Sequence, residues 1–190
     1  LDNDIRKYIP EMPKYIKPIT VRHLVHHTSG LRDYTWLLPL AGYRTDADSP
    51  TIEETIEMLA RQKGLNFAPG DEYSYSNSGY FLMGIIVERA SGRSLNEFAQ
   101  EHIFEPLGMK NTHFHDDFTM IVENRADGYS PIKNGFRINM TNWDHVGDGG
   151  IYPPVKDFYL WDQAFYNNKL GKELMDLIQT PGVLNNGKKL

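Results

Sequence analysis

The chain has 190 residues, a formal net charge of −5 at pH 7 and 40% hydrophobic residues, which is typical of one globular domain with a substantial core. Its 20 Lys and Arg residues are scattered among 25 Asp and Glu residues without a basic run, which argues against nucleic acid as a partner. It has no cysteine and no apolar run of membrane-spanning length, which excludes disulfides, thiolate zinc sites, a Cys nucleophile and a transmembrane helix within this sequence.

Helix-capping patterns predict the first elements along the chain. Thr20 is suited to cap a short helix that extends to His27. Thr51 and Glu54 have the spacing of a capping box and predict a second helix. Residues 31–50 between these helices are predicted to form a loop. The aromatic residues expected in loops, which could line a substrate cleft or equally cover the core, are Trp36, Tyr43 and Trp143.

The second half of the chain continues with helices. A strongly apolar helix is predicted for residues 78–90, because aliphatic side chains recur there at helical spacing. Ser94 and Glu97 form another capping box, for a helix that runs to about Phe104 and is stopped by Pro106 and Gly108.

After residue 126 the apolar residues alternate along the chain and no longer recur at helical spacing, which predicts a β-hairpin. Alternating apolar residues flank Asn134-Gly135, which is the strongest short hairpin signal. Two further helices are expected, one after Pro153-Pro154 and one at residues 174–178. Together these patterns predict a mainly α fold with one small β-hairpin, organised as a single domain over residues 1–190.

The segment before the apolar helix carries the candidate chemistry. Tyr75 and Asn77 stand two residues apart, in a turn that follows Pro69-Gly70. Such a pair can present a proton carrier and a hydrogen-bonding amide to one substrate. The bare tripeptide also fits an ordinary helix cap with a half-buried tyrosine. A tyrosine is a poor base at neutral pH, since its free pKa is about 10, and it needs a nearby positive charge to lower that pKa.

The wider context of Tyr75 is similar to a known family. Residues 67–92 resemble the Tyr-x-Asn segment of the serine β-lactamase and penicillin-binding-protein superfamily, in the class C-like branch with its esterases and D-amino acid peptidases. Further matches follow the order of that family, and they are His27 to Leu31 (His-Thr-Ser-Gly-Leu), Pro106 to Met109 (Pro-Leu-Gly-Met), and Gly149-Gly150 followed by Asp157.

The resemblance implies a fold and a reaction. The fold would be the helical portion of an α/β β-lactamase-like domain. The reaction would be acyl transfer or hydrolysis of a β-lactam, a D-amino acid peptide or a small ester through a Ser acyl-enzyme. Tyr75 would be catalytic and move the proton of that Ser, and Asn77 would bind the acyl amide of the substrate.

The resemblance also bears on cofactors, partners and location. It implies no metal and no organic cofactor. The expected partner is a small-molecule or peptide substrate, and the implied location is periplasmic or extracellular. The oligomeric state stays open.

The family nucleophile lies in a helical Ser-x-x-Lys motif. The only literal occurrence is Ser130 to Lys133, and Pro131 together with the predicted hairpin argues against a helix there. We therefore expect the nucleophile to lie before Leu1 and the family's Lys- or His-led strand beyond Leu190, so that both ends are truncated and this chain alone is inactive. Alternatives are a non-catalytic module that binds peptide or cell-wall fragments on the same scaffold, and a helical interaction domain.

Other clusters of polar residues are interpreted as structural. Asp144, His145 and Asp148 could imitate parts of a catalytic triad, but no nucleophile elbow accompanies them, so roles in the bend are expected. The histidines are expected to pack or cap rather than bind metal, because their spacing does not match a zinc motif. These residues are His23, His26 and His27, and His113 and His115 with Asp116 and Asp117.

Overall fold

The computed structural model describes residues 1–44 and 47–190 as a mainly helical fold with two small antiparallel sheets, which confirms the predicted class. The helices are α1 (Val21–Val25), α2 (Tyr34–Leu40), α3 (Ile52–Ala60), α4 (Asn77–Ser91), α5 (Leu95–Ala99), α6 (Glu105–Leu107), α7 (Val155–Asn167) and α8 (Lys172–Ile178). The strands are β1 (His113–Phe114), β2 (Tyr129–Ile132), β3 (Gly135–Ile138) and β4 (Ile151–Tyr152). No helix within the described residues is long and apolar enough to cross a bilayer.

The predicted capping boxes begin their helices as expected. At α3 the Thr51 hydroxyl accepts from the Glu54 backbone N–H at 3.1 Å, and the Glu54 carboxylate accepts from the Thr51 N–H at 2.8 Å. Ser94 and Glu97 make the same exchange at α5. Thr20 caps α1, although that helix ends at Val25 and not at His27. It ends early because His27 adopts a left-handed conformation, with φ of 54°.

The prediction of a loop over residues 31–50 was wrong for α2. The Asp33 side chain accepts the Thr35 backbone N–H at 2.9 Å and so begins this helix. Pro39 lies inside this helix, which ends at Leu40. The neighbouring elements therefore overcome the weak local preference of this segment. Residues 45–46 of the predicted loop lie outside the described residues.

The helix that begins at α5 runs past Phe104 and Pro106 and ends at Gly108, one of its two predicted stops. A π-helical turn over Gln100–Phe104 joins α5 to α6, and the Glu105 N–H donates to the Gln100 carbonyl. The wider turn shifts the bonding register by one residue. The chain thus accommodates Pro106 within α6, and Gly108 with φ of 81° ends the helix.

The predicted hairpin is present, with a shift of one residue in its turn. Ile132 pairs with Gly135, so that Lys133 and Asn134 form the connection and Gly135 begins β3. Ser130 lies in β2, which rules out a helical Ser-x-x-Lys at this position, as predicted. The sheet of β1 and β4 was not predicted, because strands of two residues show no alternating pattern.

The apolar helix α4 lies at the centre of the larger core. It contacts α1, α2 and α5. Phe81 and Leu82 are fully buried and belong to one cluster with Leu24 of α1 and Leu38 of α2. A second cluster forms between α5, α6, α7 and α8 around Phe104. The buried face of α4 fixes where its N-terminus, and with it Asn77, lies.

Candidate active site

The segment that carries Tyr75 is held against residues 27–30 by backbone hydrogen bonds. The Asn66 N–H donates to the Gly30 carbonyl at 2.8 Å, and the Gly70 N–H donates to the Thr28 carbonyl at 2.8 Å. The Ser74 N–H donates to the His27 carbonyl at 2.9 Å. This pairing joins the two segments that the family resemblance singled out, and it leads the chain directly into α4.

The imidazole of His27 packs against the Tyr75 ring and bonds to the next residue of the chain. The two rings are 4.5 Å apart between centroids, and the His27 Nδ1 accepts the Ser76 backbone N–H at 3.3 Å. The other neighbour of the imidazole is Tyr80, which stacks at 5.0 Å. Desolvation lowers the pKa of His27, which favours the neutral ring that can accept this bond. His27 therefore has the structural role expected from the sequence.

Tyr75 and Asn77 lie together at the start of α4. The Tyr75 hydroxyl donates to the Asn77 Oδ1 at 3.0 Å, and the Tyr75 side chain is 59% exposed. Both face a groove of about 670 Å³. The residues that line this groove are Leu31, Arg32, Asp33, Thr35, Trp36, Leu37, Leu40, Asn66, Ser74, Tyr75 and Asn77. The arrangement places a phenol and an amide at one accessible surface.

Asp33 is part of this site, and sequence analysis did not identify it. Its Oδ2 accepts from both the Asn77 backbone N–H and the Asn77 Nδ2, each at 2.8 Å. Its Oδ1 accepts from the Thr35 N–H and, at 2.7 Å, from the Thr35 hydroxyl. An Asp at the start of a helix is a common N-cap. Asp33 was not recognised as one because residues 31–50 were predicted to form a loop.

The three aromatic residues expected in loops could either line a cleft or cover the core, and the structure shows both roles. Trp36 lies on α2, is 74% exposed and lines the groove. Tyr43 and Trp143 instead pack against the larger core, and the Trp143 indole donates to the Asp48 carbonyl at 3.1 Å. The groove thus has a polar end at Tyr75 and Asn77 and an apolar wall provided by α2.

The three residues that could imitate a triad have separate partners. The Asp144 carboxylate accepts the Phe118 N–H at 2.8 Å. His145 contacts the Thr55 hydroxyl at 2.9 Å, and burial lowers its pKa to about 4. Asp148 accepts from the Tyr34 hydroxyl at 2.7 Å, and burial raises the pKa of that carboxyl. Each contact is structural, in agreement with the sequence interpretation.

The remaining histidine clusters have local contacts. The His23 Nδ1 accepts the Thr20 N–H at 3.1 Å and completes the cap of α1. His113 and His115 contact each other through their ring nitrogens at 3.2 Å. Within residues 1–44 and 47–190, no group of three or more His, Asp or Glu side chains is placed to hold a metal ion.

The groove beside Tyr75 has few positively charged side chains among the described residues. Arg32 is the only cationic side chain among the described residues that line the groove. Its guanidinium donates to the Gln62 side chain at 3.0 Å and to the Gly64 carbonyl at 2.7 Å. Activation of the Tyr75 phenol as a base therefore needs another positive group close to it.

Comparisons with known proteins give matches over most of the chain. The Beta-lactamase family model matches residues 1–185. The chain is 34% identical over 167 residues to a D-aminopeptidase of Brucella anthropi, covering 86% of this chain and 31% of that protein. It is 28% identical over 211 aligned positions to penicillin-binding protein 4* of Bacillus subtilis, covering 100% of this chain and 44% of that protein. The chain therefore spans less than half the length of these curated relatives.

A solved structure gives the same fold. The octameric penicillin-binding protein homologue from Pyrococcus abyssi superposes with a TM-score of 0.79 at 28% identity, over 96% of this chain and 43% of that one.

Proposed function

Because this chain belongs to the Beta-lactamase family, within the serine β-lactamase and penicillin-binding-protein superfamily, we propose that it is part of a serine hydrolase that cleaves amide or ester substrates. The observation that carries this proposal is the hydrogen-bonded pair of Tyr75 and Asn77, which faces an open groove at the start of α4. The substrate class is a D-amino acid peptide, a β-lactam or a small ester. The D-aminopeptidase similarity favours the first of these.

The proposed reaction passes through an acyl-enzyme. A Ser hydroxyl attacks the substrate carbonyl, and the Tyr75 hydroxyl helps to move the serine proton to the leaving group. Water then releases the acyl group. Asn77 donates an amide N–H to the acyl side of the substrate. The described residues that line the groove include no Lys, so we propose that the nucleophile and a positive group beside the Tyr75 hydroxyl come from the rest of the whole protein.

We also propose that residues 1–190 act as one domain, the helical portion that bears the Tyr-x-Asn motif in a larger α/β fold. The packing of α4 against α1, α2 and α5 supports this assignment. A family match that runs without division over residues 1–185 supports it as well.

The test is Tyr75→Phe in the whole protein, with turnover measured on a D-Ala peptide, a β-lactam and a p-nitrophenyl ester. The variant keeps the ring against His27 and removes only the hydroxyl. If Tyr75 transfers protons, kcat should fall by roughly 10²–10⁴-fold, while the melting temperature stays nearly constant. Tyr159→Phe, which removes an exposed phenol from α7, is the matched control and should retain turnover. Near-normal hydrolysis by Tyr75→Phe would remove Tyr75 from the mechanism.

A further inference from the structure

We propose that Asp33 is a positioning residue that fixes the side-chain amide of Asn77 in the orientation needed to bind the substrate. This inference rests on the proposed function, since it assigns a task to a residue beside the proposed substrate site. It goes beyond the Tyr-x-Asn motif because Asp33 lies on a different segment, 44 residues earlier in the chain.

The contacts of one carboxylate determine which way the amide points. Asp33 Oδ2 accepts from the Asn77 Nδ2 at 2.8 Å, while the Tyr75 hydroxyl donates to the Asn77 Oδ1 at 3.0 Å. A carboxylate is only an acceptor. An amide turned by 180° would set its oxygen against the Asp33 oxygen, so the chemistry of the pair permits one orientation.

The backbone contact fixes the position of the same residue. Asn77 is the first residue of α4, and its N–H also donates to Asp33 Oδ2, at 2.8 Å. Ser76, which precedes the helix, makes no side-chain cap bond. Asp33 therefore caps α4 from another segment while it caps α2 through Thr35. A carboxylate is favoured at both positions by the partial positive charge of helix N-termini.

These contacts leave the Asn77 side-chain amide oriented as a hydrogen-bond donor towards the groove. Asp33 is the acceptor that the Asn77 Nδ2 contacts within the described part of the chain, and an amide nitrogen carries two hydrogens. The second hydrogen is left to donate to an acyl oxygen of the substrate. Holding it in place before binding lowers the entropic cost of binding.

The test compares Asp33→Ser with Asn77→Ala in the whole protein. Serine is a good N-cap and preserves the start of α2, but it is too short to hold Asn77. We expect Asp33→Ser to raise KM by about tenfold to a hundredfold, the size expected for losing a hydrogen bond to a polar or charged group, with a smaller fall in kcat. The double variant should bind no more weakly than Asn77→Ala alone, because both changes remove one interaction.

A control separates positioning from helix stability. Thr51→Ala removes the side-chain cap of α3, and Thr51 does not line the groove. It should lower the melting temperature without changing KM. If Asp33→Ser does the same, or if its effect on KM adds to that of Asn77→Ala, the positioning role is overturned.

A second measurement does not depend on activity. In the NMR spectrum of this chain, the side-chain amide protons of Asn77 should shift towards the values of a free amide in Asp33→Ser and remain unchanged in Thr51→Ala. If the wild-type protein hydrolyses none of the three substrates, the proposed function fails. The NMR result then decides the Asp33 contact alone, and an unchanged Asn77 signal would overturn it.

Discussion

The imidazole of His145 lies in an aromatic environment at the centre of the larger core. Its ring stacks on Tyr34 at 5.4 Å and lies 5.1 Å from Phe81 between ring centroids. One ring nitrogen contacts the Thr55 hydroxyl, and the buried Nδ1 has no hydrogen-bond partner within the described residues. Adding a proton to this ring would bury a charge that few groups can solvate, which is why its pKa falls to about 4.

This shift predicts a loss of stability in mild acid. Between pH 6.5 and about pH 4 the unfolded state binds a proton at this histidine and the folded state does not. The contribution of His145 is therefore complete above pH 6.5 and is lost as the pH falls towards 4. It amounts to about 3 kcal/mol over that window.

His145→Gln keeps a polar partner for Thr55 and removes the titrating group. The dependence of the unfolding free energy on pH, measured by denaturant titration between pH 7 and 4, should become flatter in this variant. His102→Gln removes an exposed histidine and is the matched control against which the slope of His145→Gln is compared. An unchanged slope in His145→Gln would contradict the assignment.

At the scale of elements, the pairing of residues 27–30 with residues 66–74 determines where Tyr75 lies. The pairing requires close approach at Gly30, whose φ is 73°. A Cβ at this position would overlap the carbonyl oxygen of Phe67. Both the positive φ and the short distance to Phe67 require glycine at this position. Gly30 therefore allows the His-Thr-Ser-Gly segment to pair with the segment that leads to Tyr75.

Gly30→Ala should therefore destabilise the fold by about 2 kcal/mol or more, because the left-handed backbone is strained and the contact with Phe67 must open. The matched control is Gly64→Ala, because a Cβ there meets no atom within 4 Å. It should be close to neutral. Urea denaturation of both variants measures the difference, and equal stability of the two would refute the close approach.

At the scale of the whole molecule, the groove presents Tyr75 and Asn77, and the described residues place no helical Ser-x-x-Lys beside them. Ser76 is buried, with 4% of its surface exposed, and Ser130 lies in the β2 strand with its hydroxyl bonded to Asn139 at 2.7 Å. Neither serine has a lysine placed three residues away on one helical face. The 190 residues thus contain the residue proposed to transfer protons, Tyr75, and the residue proposed to bind the substrate, Asn77.

We predict that this chain by itself forms no acyl-enzyme. Intact mass measured after incubation with a fluorescent penicillin or a fluorophosphonate should show no covalent adduct. An active serine hydrolase labelled under the same conditions provides the control. An adduct mapped to Ser76 or Ser130 would contradict both the site and the proposed division of the catalytic groups.

The sequence by itself determined the features that depend on neighbours along the chain. The boxes at Thr51 and Ser94 were predictable because the groups that exchange hydrogen bonds are three residues apart. The apolar helix α4 was predictable from its dense aliphatic content. The Tyr75 and Asn77 pair was recognisable from its position between a turn and that helix, although its catalytic role stays a prediction.

The tertiary structure decided the features that depend on residues distant in sequence. The helix α2 forms within residues 31–50, which were predicted to be a loop, because Asp33 caps it and Leu38 is buried in the larger core. The bond from Asn77 to Asp33 joins segments 44 residues apart. No local pattern contains such a contact, since its energy appears only when packing brings the two helix starts together.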